Sequence, residues 1–141
     1  MIGRQTIATK NVFTLQELEQ FMQQNWDKNE YNDFFIGRPT AASVEEYILL
    51  PATQRFMVIV YPRKHGLFSK DNKVILAVCD SPAGVKSRLI NSIPSSNVFF
   101  GIYKISSTVT TEEERKGPAE DALQRYTAYM RSLLEKAGYL K

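Results

Sequence analysis

Two apolar runs, residues 56–61 (Phe-Met-Val-Ile-Val-Tyr) and 74–79 (Val-Ile-Leu-Ala-Val-Cys), constrain this chain more than any other feature. Each is apolar at odd and even positions alike, so a strand built from either run has no face suited to water. Such a strand is stable only with both faces covered, which places the first run centrally in a sheet, and the second repeats its character. Six residues long, they are also far short of the ~20 that a membrane-spanning helix needs. Between them lies the basic loop 62–72 with Arg63, Lys64, His65 and Gly66 in succession.

The rest of the chain supplies the partners for such a sheet. Residues 5–13 alternate loosely around Ile7, with the β-branched Thr6, Thr9 and Val12, and predict a first strand. Thr14-Leu15-Gln16-Glu17 is a capping box, in which the hydroxyl and the carboxylate each satisfy a free amide of a first helical turn. The helix it opens carries Leu15, Leu18, Phe21, Met22 and Trp26 at spacings of three and four, so it packs on one side only. Residues 25–32 are polar turn formers, and 34–36 read as either a short strand or a turn. Residues 44–50 and 54–61 form an antiparallel pair joined through Pro51-Ala52-Thr53, with Pro51 in the turn.

Beyond the second run, Ser81-Pro82 sets an N-cap and first-turn proline for a short helix with Val85, Leu89, Ile90 and Ile93 on one side. Residues 98–105 are a further apolar strand containing Gly101. The last element is a long helix entered through Gly117-Pro118. Its stripe is Ala119, Ala122, Leu123, Tyr126, Met130, Leu133, Leu134 and Ala137, its C′ residue is Gly138, and an acidic turn at Glu112, Glu113 and Glu114 precedes it. The expected fold class is α+β: an antiparallel or mixed sheet of about five strands packed against an N-terminal helix and a long C-terminal helix. The 141 residues suit a single domain, 1–141, able to bury a core without disulfides or metals.

Composition narrows the function classes. A hydrophobic fraction of 43% and aromatics at 11% are those of a folded soluble chain. The start Met1-Ile2-Gly3-Arg4 opens no signal-peptide core, and the single cysteine, Cys79, suits a reducing compartment, so the expectation is cytoplasmic, with no membrane partner. Net charge is +3, unevenly spread: residues 1–61 carry five basic and seven acidic groups, 62–109 seven against two, and 110–141 six against six. The middle third holds the positive charge, which either solubilises that face or attracts an anionic partner.

Catalytic signatures are weak. His65 and Cys79 are the one imidazole and the one thiol, but a loop tip and an apolar strand do not orient them as a catalytic pair. One histidine and one cysteine cannot furnish a structural zinc site. Asp27, Glu30 and Asp33 lack the glycine and terminal glutamate of a calcium loop, so no metal and no cofactor are expected. Gly84-Val85-Lys86-Ser87 is not a Walker loop, because its lysine does not follow the glycine.

What remains is binding. Arg63, Lys64, His65 and Lys70, with Phe68 among them, combine phosphate-seeking charge with a stacking ring. The 80–88 junction adds Lys86 and Arg88 near a helix N-terminus, where anions are favoured. Trp26, Tyr126, Tyr129 and Met130 are candidates for a pocket wall between sheet and terminal helix, although core packing uses the same side chains. Tyr129 and Leu140 lie off the helical stripe and suggest a homodimer seam. The leading expectation is therefore a non-enzymatic binding or protein-interaction module, followed by a binder of nucleic acid or other polyanion, with an enzyme of unknown class third.

Overall fold

The structure, a computed structural model, describes residues 3–31, 33–39, 43–53, 55–64, 72–81 and 110–141. Five strands within these residues, β1 (Arg4–Thr9), β2 (Phe35–Gly37), β3 (Tyr47–Pro51), β4 (Phe56–Arg63) and β5 (Asn72–Asp80), form one sheet in the order β1-β5-β4-β3-β2. Every pairing is antiparallel. The helical segments are α1 (Leu15–Asn25), α2 (Lys28–Tyr31), α3 (Thr111–Glu114) and α4 (Glu120–Lys136), with a π turn at Arg115–Ala119 between the last two. The chain is thus α+β, and its sheet is antiparallel among the described residues.

Strand alternation divides the core. Ile48, Leu50, Val58, Val60, Val74 and Leu76 lie in one buried cluster with Leu18, Met22, Leu123, Tyr126, Met130 and Leu134 of the helices. The intervening residues Leu49 and Met57 are fully buried on the opposite face, with Phe35, Tyr47, Ile59 and Cys79 around them. β4 is the third of five strands, as its two apolar faces required. Fully burying one such aliphatic side chain contributes about 1.5–3 kcal/mol, so these two clusters outweigh any exposed ion pair.

Local chemistry sets the element ends. In α1 the Glu17 amide donates to Thr14 Oγ1 at 3.1 Å and the Thr14 amide to Glu17 Oε1 at 2.9 Å, completing the capping box. Residues 34–36, open between strand and turn, resolve into a buried Phe34 followed by β2. Pro51 does not stand in the turn; it ends β3, and its carbonyl accepts the Tyr126 hydroxyl at 2.6 Å. Proline is tolerated there because the missing N–H lies at a strand terminus.

Gly117-Pro118 does not open the long helix either. Helix begins at α3, capped by Thr110, whose Oγ1 accepts the Glu113 amide at 3.1 Å, and continues through the π turn into α4. Pro118 cannot donate to the carbonyl four residues back, and a π turn absorbs that missing bond without ending the helix. At the far end Gly138 takes φ 80°, the left-handed conformation that lets the chain reverse. It then runs back along β1, with the Lys10 amide donating to the Tyr139 carbonyl and the Lys141 amide to that of Ala8, covering part of that sheet edge. The short helix expected after the Ser81 cap and the strand expected at 98–105 lie outside the described residues.

Candidate functional site

The sheet ends where β3 begins and β4 finishes, and α1 is entered beside that end, leaving a groove of about 600 Å³. Phe13 and Leu15 form one wall, while Tyr47, Tyr61 and Pro62 form the other. Thr14, Glu45, Glu46 and Lys64 also line it. The tyrosines come from neighbouring strands and meet edge to face, with ring centroids 5.0 Å apart. The Tyr47 hydroxyl donates to Glu45 Oε2 at 3.2 Å; partial burial, then this bond and the carboxylate charge, push its phenol above the ordinary range and keep it neutral. Glu46 and Lys64 are exposed, and neither is held by an ion pair among the described residues. Val12, 52% exposed, continues the apolar wall outward.

Two other hollows are smaller. One of about 260 Å³ lies on the far side of Phe13, between Gln20, Phe21, Gln24 and Tyr139. Another of about 300 Å³ is bounded by Phe56, Val78, Cys79, Asp80 and Arg115. Cys79 is a free, half-buried thiol, held protonated by burial and by the Asp80 charge against a weaker opposing backbone hydrogen bond. A thiol so placed is a poor nucleophile at neutral pH.

The aromatic residues expected to wall a pocket do meet, but they pack on one another. Trp26, Tyr126 and Met130 are buried, Trp26 stacks on Tyr126, and Tyr129 lies parallel to Tyr31 at 3.7 Å between centroids. The Tyr129 hydroxyl accepts the Asp27 amide at 2.9 Å and donates to the Asn25 carbonyl at 3.3 Å, so its polar tip closes the end of α1. None of the four lines the three hollows described above. Leu140 bridges to Thr9 of β1 and, like Tyr129, is partly buried against the core.

The expected anion-binding residues divide. Arg63 and Lys64 lie exposed at the end of β4, and Lys64 lines the groove. His65, Lys70, Lys86 and Arg88 lie outside the described residues. Among those described, no three histidine, cysteine or carboxylate side chains gather as a metal site, and no helix is long and apolar enough to cross a membrane. Asp27 accepts the Asn29 amide, and Asp33 pairs with Lys28 at 3.5 Å.

Sequence reasoning missed the groove because its parts are individually ordinary. Tyr47 and Tyr61 become a pair only through strand register, which sets Ile48 against Val60 and so brings the preceding and following tyrosines together. That signal is present in the sequence once the hairpin is known to pair Pro51 with Met57 rather than to turn at 51–53. No protein-family model, curated protein or solved structure matches the chain.

Proposed function

We propose that this chain is a non-enzymatic binding module whose ligand occupies the groove between the start of β3, the end of β4 and the approach to α1. The observation that carries this reading is the groove's make-up: about 600 Å³ of space between apolar and aromatic walls, with three charged side chains in the lining. Volumes of that order, apolar walls and a few polar groups are the usual character of small-molecule sites. The protonated state of Cys79 supports a binding role over thiol catalysis, and a lone unbridged cysteine fits a reducing, cytoplasmic setting. The test is amide chemical-shift mapping of the full chain against a fragment collection. The expected result is shifts confined to residues 12–15, 45–47 and 61–64 and abolished by Tyr61→Ala; shifts elsewhere only would overturn it.

A second reading, polyanion binding, draws on Arg63 and Lys64, both exposed at the end of β4. Glu45 and Glu46 beside Lys64 offset this charge locally, which weakens the field an oligonucleotide would meet. Anisotropy of a labelled oligonucleotide decides it: binding that falls steeply with salt and drops in Arg63→Gln/Lys64→Gln would favour this reading, and no binding at low salt would remove it.

A further inference from the structure

We infer that the groove takes a small zwitterion, with an ammonium and a carboxylate joined by an apolar body of amino-acid to short-peptide size; this rests on the groove being the ligand site. Each part of the lining answers one part of such a ligand. The Tyr47 and Tyr61 rings, flanked by Glu45 and Glu46, form an aromatic and anionic corner of the kind that holds an organic cation. The hydroxyl of Tyr47 is turned to Glu45, which enriches the ring in electron density and leaves Glu46 as the carboxylate available to a ligand. Lys64 supplies the opposite charge in the same lining, and Phe13 and Leu15 supply the apolar wall.

Elimination leads to the same class. A simple cation would sit near Lys64 with a like charge unanswered, and a simple anion would face two carboxylates. A neutral apolar ligand would use the Phe13 and Leu15 wall but answer neither Glu46 nor Lys64. A ligand carrying both signs answers Glu46 and Lys64 together and leaves Glu45 to the Tyr47 hydroxyl it already accepts.

The test uses three ligands with one body: leucyl-leucine, its C-terminal amide, which is a cation, and its N-acetyl form, which is an anion. Titration of the full chain, followed by amide shifts at residues 45–47 and 61–64, should rank leucyl-leucine at least about threefold tighter than either relative, the scale of an exposed charge contact. Glu46→Gln should weaken leucyl-leucine and the amide but not the N-acetyl form, which loses a repulsion. Lys64→Met should weaken leucyl-leucine and the N-acetyl form but not the amide, which loses a repulsion. Either relative binding as tightly as leucyl-leucine would overturn the zwitterion assignment. If none of the three binds while an unrelated fragment shifts these same amides, the ligand class fails and the groove stands; if nothing shifts them, both readings fall.

Discussion

The carboxylate of Glu114 accepts the hydroxyl of Thr53 at 2.5 Å, joining the turn between β3 and β4 to the last turn of α3. The same carboxylate accepts the Arg55 amide at 2.9 Å and pairs with the Arg55 guanidinium at 3.3 Å. Glu114 is only 1% exposed and Thr53 fully buried, so this is a charge taken out of water and given donors in exchange. Truncation would strand those donors. Glu114→Ala is expected to cost about 2–4 kcal/mol in urea unfolding, and Glu114→Gln less, because the amide keeps one acceptor oxygen. A loss under about 0.5 kcal/mol for the alanine variant, the size of an ordinary surface change, would show that the carboxylate does not hold the turn.

Tyr129 closes the end of α1 and stacks on Tyr31, so its ring and its hydroxyl can be separated by mutation. Tyr129→Phe removes the hydrogen bonds and should cost about 1 kcal/mol, whereas Tyr129→Ala also removes the ring and should cost about 3 kcal/mol. Chemical denaturation of both variants checks the order. Equal losses would mean that the stacking contributes nothing.

Alkaline pH should unfold the protein through its tyrosines. Partial burial raises the phenols of Tyr31, Tyr47 and Tyr129, with nearby carboxylates adding to it; for Tyr129 the bond to the Asp27 backbone opposes the shift. A phenol with a raised folded pKa is neutral in both states below about pH 10, the ordinary value, and its contribution there is complete. Above that, the unfolded chain loses protons first, so stability falls as pH rises through the folded values. Ultraviolet titration should show these phenolates forming later in the native than in the denatured protein, with denaturation midpoints dropping over the same range.

The Cys79 thiol should react slowly. Because burial and Asp80 raise its pKa, its thiolate fraction at pH 7 is below that of an unfolded cysteine. A colorimetric disulfide reagent should label the native protein more slowly than the denatured one, and Asp80→Asn should speed native labelling by removing the second cause. Native labelling as fast as denatured labelling would contradict the assigned environment.

Residue pattern alone specified much of this architecture. Thr14 and Glu17 announce α1 because capping is a contact between near neighbours, and the apolar stripe from Leu123 to Leu134 announces α4 because helical period is local. The runs at 56–61 and 74–79 place β4 and β5 inside the sheet, since strands apolar on both faces have no other stable location. Pro51 and Pro118 mislead for one reason. A proline marks only a missing donor, and whether the chain turns, ends a strand or slips into a π turn depends on what its neighbours bond.

Tertiary structure alone decided the rest. Nothing in the order of residues distinguishes Glu114 from Glu112, yet one is buried against Thr53 and the other stands in water paired with Lys116 at 2.8 Å. The groove is of the same kind: Phe13, Tyr47, Tyr61 and Lys64 come from separate stretches of chain and acquire a shared chemistry only when strand register and helix packing bring them together. Local periodicity determines which face an element buries, because that depends on neighbours a few residues away; a site depends on distances between elements, which packing settles.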